Sequence, residues 1–381
     1  MDIRLNQQKR SLHQVQLKCT TSRQIMIFQL PDGYSKGVVR SLGRGSYGTV
    51  IWTKGTIGRV NGKGEREEIE VAVKKFHTDP KPELTKLYAK RCYRELRLLQ
   101  HLKHENIARI LDLYTEANYP SELGDVYLVM EYVGSTLEKH IDQSLISLKA
   151  KNRHIQLDMS KIPRIMRDTL NALLYLKAAN VLHRDLKPSN LAITGKGKTV
   201  LLDFGLARTD DPLSDKTAGA GTPCYASPEI SFLHSKDYGH EVHMWSVGCI
   251  LFELLTLIKL FENPRNMKET INLYIQLFGT IDDDFLDKIP ANAQDGINGI
   301  QKALLEKSKQ PGFKRVDLSS LFAENNKVAQ LPRDNATLDF STLHSILSTA
   351  FSSIPQKESQ SRLRSGTNLS GATTVLRNFP V

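Results

Sequence analysis

The sequence predicts an α+β fold, with a small β-rich lobe first and a larger helical lobe after it. Three observations lead there. From Gln24 to Tyr132, short β-branched runs alternate with glycines. A single helical pattern interrupts them, and beyond Val133 helical spacing dominates. Strands gathered in one stretch and helices in the next favour segregated layers over an alternating α/β sheet.

In chain order, residues 1–24 are polar and read as a loose extension. Residues 25–131 form the first lobe and 132–381 the second. Val38-Val39, Thr49-Val50-Ile51-Trp52 and Ile69-Glu70-Val71-Ala72-Val73 read as strands. The interrupting helix runs from about Pro82 to Leu102, with Leu84, Leu87, Leu96, Leu98 and Leu99 near helical spacing. Later helices are clearest over Ile162 to Ala179 and Trp245 to Leu257. There is no internal repeat, and Ser341 to Thr374 is rich in Ser and Thr.

Composition narrows the function classes. The chain has 381 residues, 40% of them hydrophobic and 24% charged, an ordinary soluble mix. Met1 to Gln8 lacks the apolar core of a signal peptide. Val247 to Leu260, the longest apolar candidate, contains Glu253 and Lys259 and reads as a buried helix, not a membrane span. Cys19, Cys92, Cys224 and Cys249 are scattered, which fits a reducing compartment and no disulfide frame or cysteine metal site. The net charge of +11 comes from dispersed Lys and Arg without interleaved aromatics, so it reads as a solvated surface with no specific nucleic-acid partner.

Five motifs carry chemistry. Gly43-Arg44-Gly45-Ser46-Tyr47-Gly48-Thr49-Val50 places three glycines where a backbone can lie over phosphates. It stands between two strand-like runs, which disfavours a dinucleotide turn and suits a hairpin lid over ATP. Val71-Ala72-Val73-Lys74 follows 26 residues past Gly48. Alternation buries the valines and aims Lys74 elsewhere, as a point charge for the α- and β-phosphates. Glu95, on the helix that follows, is positioned to pair with Lys74.

The third motif is His183-Arg184-Asp185-Leu186-Lys187-Pro188-Ser189-Asn190. Asp185 can accept a substrate hydroxyl's proton, Lys187 can neutralise charge on the phosphoryl group in transfer, and Asn190 offers an oxygen to magnesium. Asp203-Phe204-Gly205 comes 18 residues after Asp185, and Asp203 is the second magnesium ligand. Last, Ser227-Pro228-Glu229 ends the segment that begins at Asp203, with Glu229 as its anchor.

These ordered motifs resemble the eukaryotic protein kinase superfamily over residues 36 to about 280. The closer likeness is to mitogen-activated protein kinases, in their stress-activated branch. It rests on Tyr93 to Leu99, His104-Glu105-Asn106-Ile107, Asp125 to Val129, His183 to Asn190, Leu202 to Arg208 and Leu277-Phe278-Gly279-Thr280. The resemblance implies the bilobal kinase fold, ATP and Mg²⁺ as cofactors, and protein Ser or Thr hydroxyls as acceptors. It implies Met130 as gatekeeper, with Glu131, Tyr132 and Val133 as the adenine hinge and Leu42, Ala72 and Leu191 as further nucleotide contacts. It also implies a hydrophobic spine of Leu99, Ile110, His183 and Phe204, and an intracellular monomer in cytoplasm or nucleus.

The departures from the family bear on regulation. The family's Thr-x-Tyr falls on Thr217-Ala218-Gly219, so the tyrosine is missing. The two arginines that would hold its phosphate are Pro223 and Ala226. Arg91, Arg94, Arg184 and Arg208 remain as receptors for a phosphothreonine, which makes Thr217 a single-site switch for an upstream kinase. Gly221-Thr222-Pro223-x-Tyr225 looks more like kinases outside this group, which puts the family's preference for a proline after the acceptor in doubt. His243 stands where the family has an aspartate that hydrogen-bonds the catalytic loop; a neutral imidazole accepts one hydrogen bond, not two, which predicts a looser loop. The acidic C-terminal docking patch for basic partner motifs is not recognisable. Lys74, Glu95, Asp185, Asn190 and Asp203 together read as an active enzyme, and the alternative reading is a pseudokinase or scaffold.

Overall fold

The computed structural model describes residues 11–18, 25–34, 39–45, 48–56, 68–76, 82–116, 124–149, 158–210, 221–231 and 238–261. The chain divides into two compact units. The first comprises residues up to Gly134 together with Val200–Gly205, and the second the remainder.

The first unit opens with strands β1 (Leu12–Lys18) and β2 (Ile25–Pro31), paired antiparallel. The loose extension read over residues 1–24 does not hold for Leu12–Lys18, while residues 1–10 and 19–24 lie outside the described residues. Val15 and Leu17 alternate with polar residues and, with Leu12, pack on a buried core that holds Phe28 and Leu30. The main sheet contains β3 (Arg40–Gly45), β4 (Gly48–Gly55), β5 (Ile69–Phe76), β6 (Ile110–Thr115) and β7 (Val126–Glu131), in the order β3-β4-β5-β7-β6. Helix α1 (Pro82–His101) lies between β5 and β6 in sequence.

Strand alternation gives this sheet two different faces. Ile51, Val71, Val73, Tyr127 and Val129 belong to the core that β2 covers. On the opposite face the register aligns Val50, Lys74 and Leu128 across three strands, and next to them Trp52, Ala72 and Met130. The expectation that Val71 and Val73 are buried apart from Lys74 is what the register shows.

The second unit begins with β8 (Ser135–Thr136), which pairs with β10 (Leu191–Ile193), and α2 (Leu137–Lys149). Helix α3 (Ile162–Ala178) buries Ile162, Ile165, Thr169, Ala172, Leu173 and Leu176, the stripe its sequence spacing predicts. Strand β9 (Val181–Leu182) pairs with β12 (Arg208–Thr209). Strand β11 (Thr199–Leu201) carries the chain toward Asp203. A short helix α4 (Pro228–Ser231) precedes α5 (Glu241–Thr256), which is buried along nearly its whole length from Val242 to Thr256. A helix apolar all round belongs to an interior, as the sequence reading of Val247 to Leu260 expected. No helix among the described residues is long and apolar enough to cross a membrane.

Candidate active site

In the first unit, Lys74 meets two carboxylates. Its Nζ lies 2.8 Å from Glu95 Oε2 and 2.9 Å from Asp203 Oδ1. The Lys74–Glu95 pair is the one the sequence anticipated, and Glu95 is 1% exposed. Burial pulls the ammonium's pKa down, but Asp203 and Glu95 outweigh it, so Lys74 is held charged. Gly48 makes room for this arrangement, because a Cβ there would sit 2.8 Å from the Lys75 carbonyl oxygen and 3.3 Å from Lys74 Cγ. Of the predicted phosphate loop, Gly43, Arg44, Thr49 and Val50 lie in β3 and β4, whereas Ser46 and Tyr47 fall outside the described residues.

The predicted hinge follows β7. Glu131 N–H donates to the Arg109 carbonyl at 3.2 Å, and Tyr132 N–H donates to the Glu70 carbonyl at 3.2 Å. The Tyr132 ring meets Trp52 edge-on at 6.4 Å, and the Arg40 guanidinium lies 3.9 Å over that same indole.

In the second unit, the chain from His183 to Asn190 forms a closed hydrogen-bond system around Asp185. Thr222 Oγ1–H donates to Asp185 Oδ1 at 2.7 Å, and Lys187 Nζ is 2.8 Å from Oδ2. Lys187 also donates to Thr222 Oγ1 at 2.8 Å, while Asn190 Nδ2 donates to the Asp185 carbonyl at 2.7 Å. Thr222 was not among the predicted site residues; its signal was the Gly221-Thr222-Pro223 run. Gly221 has φ +104°, and a Cβ would lie 2.7 Å from the Arg184 carbonyl, so only glycine brings Thr222 this close. Arg184 at φ 65° and Asp203 at φ 55° are non-glycine residues in the left-handed region, a strain that occurs where function fixes the backbone. Leu191 is buried in β10.

His243 behaves as its chemistry requires. Its Nε2 accepts the His183 backbone N–H at 3.0 Å, and His183 Nδ1 accepts the Asp185 N–H at 3.3 Å. Burial, then the neighbouring His183 and His240, push the His243 pKa well below the usual imidazole range. The ring is therefore neutral and receives one backbone donor there. This has a consequence for stability. Above the unfolded value near 6.5 the folded state has its full stability; as pH falls below it, the unfolded chain takes up a proton that folded His243 refuses. The parent should therefore lose about 1.4 kcal/mol per pH unit more than His243→Asn below pH 6.5. Urea unfolding from pH 7 to 5 measures this, and parallel curves would contradict it.

The regulatory candidates are less concentrated. Arg184 donates from Nε to the Leu206 carbonyl at 2.8 Å and from Nη1 to Tyr238 Oη at 2.7 Å. Arg208 Nη1 donates to the Ala207 carbonyl. Arg94 is half-buried on α1. Thr217 and the Arg91 side chain lie outside what the structure describes.

The donor chemistry fits a magnesium nucleotide. Lys74 is shared between Glu95, whose carboxyl burial pushes up to about 7, and Asp203, whose side chain is 38% exposed and so within reach of a hard cation. In the second unit, Asn190 directs its N–H toward Asp185, which leaves its side-chain carbonyl oxygen as an acceptor.

Comparison with known proteins agrees. The protein kinase domain model matches residues 37–320. The chain is 36% identical over 267 residues to Mitogen-activated protein kinase 14 of Xenopus laevis, covering 70% of this chain and 66% of that protein. It is 33% identical over 305 residues to Mitogen-activated protein kinase 12 of Danio rerio, covering 80% and 73%. Mitogen-activated protein kinase pmk-1 of Caenorhabditis elegans is 36% identical over 284 residues, 74% of this chain and 66% of that one. The chain thus spans about two thirds of the length of several curated relatives it matches. The chain belongs to the protein kinase family. Its relatives there are mitogen-activated protein kinases, so by family it is of the Ser/Thr type that uses ATP and Mg²⁺.

Proposed function

We propose that the chain is an active protein Ser/Thr kinase of intracellular signalling that moves the γ-phosphoryl group of ATP to protein hydroxyls. The observation that carries this is the closed set around Asp185. Both carboxylate oxygens are oriented by Thr222, Lys187 and Asn190, as a group that must receive a hydroxyl requires. In this reading Asp185 is the catalytic carboxylate and Lys187 offsets charge on the phosphoryl group. Lys74 binds the α- and β-phosphates, with Glu95 holding it in place. Leu42, the 43–50 loop, Ala72, Met130, Glu131, Val133 and Leu191 contact the nucleotide. Asn190 and Asp203 would hold Mg²⁺, which neutralises phosphate charge.

The test is transfer of radiolabel from ATP to a peptide library by the purified chain, with Asp185→Asn beside it. Incorporation well above the variant supports the reading; equal background from both leaves a scaffold. Peptides enriched in proline after the acceptor would show that the pocket near Pro223 and Ala226 keeps the family's preference.

Regulation in this reading runs through Thr217, phosphorylated by an upstream kinase and received by Arg91, Arg94, Arg184 and Arg208. Thr217→Ala should then show no gain in rate after incubation with such a kinase, where the parent gains several-fold. Equal gains would remove the switch. Cytoplasm and nucleus are the proposed locations, and a monomer the proposed state.

A further inference from the structure

In the second unit the fold gathers cations that the sequence scatters. Lys161, Arg164 and Arg167 stand at the start of α3, and Lys196 and Lys198 on the turn between β10 and β11. That turn is tight: Gly197 N–H donates to the Thr194 carbonyl at 2.8 Å, and Lys198 N–H to Thr194 Oγ1 at 3.0 Å. It lies against the helix. A Cβ on Gly197 would sit 3.3 Å from Arg164 Nη1, and Asp168 of α3 accepts the Thr199 N–H at 3.0 Å.

The neighbouring acids do not balance these charges. Asp168 is 5% exposed, and both Arg167, at 3.2 Å, and Arg164, at 4.0 Å, turn to it. The guanidinium-bearing side chains themselves stay 45% and 64% exposed, for Arg164 and Arg167 in turn. Asp158 accepts the Ser160 N–H, which with Lys161 nearby holds its carboxyl below the usual range. His140 of α2 adds no anion; burial, then Lys161, push its pKa below the usual imidazole range. Five cations against Asp158 and Asp168 leave three positive charges. The first turn of α3 has no acidic residue, although the helix dipole favours one there.

The same helix continues the surface with an apolar group. Arg164, Arg167, Asn171 and Leu174 recur at steps of three and four, so they form one exposed stripe. Leu174 is 64% exposed. No aromatic ring stands on that stripe to stack a base, which favours a protein partner over a nucleic acid.

We propose that this surface docks an acidic segment of a partner protein, its Asp and Glu side chains against Lys161, Arg164, Arg167 and Lys196 and an apolar side chain against Leu174. Charge complementarity names the occupant: surplus cations and the positive end of α3 attract carboxylates, and the bare leucine attracts a hydrophobic neighbour. If the chain is the kinase proposed above, the segment belongs to a substrate, and docking raises the local concentration of its acceptor hydroxyl. The docking itself does not require turnover.

The probe is a fluorescein-labelled peptide of Asp, Glu and one Leu, about twelve residues or 40 Å when extended. Its binding to the full chain is followed by fluorescence anisotropy at physiological ionic strength. Lys161→Glu with Lys196→Glu should weaken binding about tenfold. Lys90→Glu with Lys103→Glu, the same charge change on the first unit, should weaken it by less than about twofold. Equal losses from the two pairs would mean that net charge alone attracts the peptide, and overturn the proposal. So would an oligonucleotide of equal charge, or a phosphatidylserine vesicle, that binds more tightly than the peptide. Should the reversed pair not fold, carbodiimide coupling of the peptide's carboxylates to the parent decides. Mass spectrometry should find the amide links on Lys161 or Lys196; links spread evenly over the chain's lysines overturn the proposal. Neither readout involves phosphoryl transfer, so a chain without turnover leaves the test intact.

Discussion

Asp185→Asn should lower phosphoryl transfer to peptide by about 10²–10⁴-fold, the range for losing a positioned proton acceptor. The geometry explains why so small a change costs so much. Asp185 Oδ1 accepts from Thr222 and Oδ2 from Lys187 and Asn190, so both oxygens serve as acceptors. An amide has one acceptor and two donors. In one orientation its NH₂ faces the Lys187 ammonium, in the other the Thr222 hydroxyl must turn to accept, and in both the negative charge opposite Lys187 is gone. The loop should persist, because the Asn190 bond to the Asp185 carbonyl and the His183 bond to its N–H are backbone contacts. Nucleotide affinity should therefore stay within a factor of about two, so that the loss appears in turnover. Titration with a fluorescent ATP analogue and initial rates over the best peptide separate the two quantities. A variant within about tenfold of the parent would assign the proton to another group.

Lys74→Met should be as severe in activity and also damage stability. The substitution leaves Glu95, buried, and Asp203 without the cation between them. Breaking a buried ion pair by removing one partner costs about 3–5 kcal/mol, because the remaining charge is stranded. Turnover should fall by more than about 10²-fold as the charge on the α- and β-phosphates disappears. The two effects can be separated. Adding Glu95→Gln removes the stranded charge and should restore most of the stability while leaving turnover lost. Chemical denaturation and rate measurements on the single and double variants provide the check. If the double variant regained turnover, Lys74 would be a structural cation with no part in binding phosphate.

Much of the site was legible because its chemistry is local in sequence. Asp185, Lys187 and Asn190 lie within six positions, and one turn of chain brings them together. The Lys74–Glu95 pair was legible for a different reason: a strand followed by a helix is a frame in which a lysine and a glutamate 21 residues apart can be expected to meet. The single acceptor of His243 followed from side-chain chemistry alone. What escaped depends on long-range closure. Tyr238 reaches Arg184 across 54 positions, and nothing near either residue announces it. Asp203 joins Lys74 across 129 positions, where the sequence suggested only a magnesium ligand. The strand β1 was a different kind of miss. Its alternation of Val15 and Leu17 with polar residues was present, with Leu12 out of step, but three half-exposed apolar residues beside a polar start read as an extension until Phe28 and Leu30 gave them something to cover.

That hairpin bears on how the protein can be handled. The family match begins at residue 37, yet Phe28, Leu30 and Tyr34 are buried in the same core as Val71, Val73 and Val129. An expression fragment cut at the family boundary would discard the lid of that core and leave a greasy sheet face in contact with solvent, a recipe for inclusion bodies. The minimal foldable piece therefore starts ahead of Leu12, and a cleavable affinity tag belongs upstream of Ser11, where Asp32 N–H closes on its carbonyl.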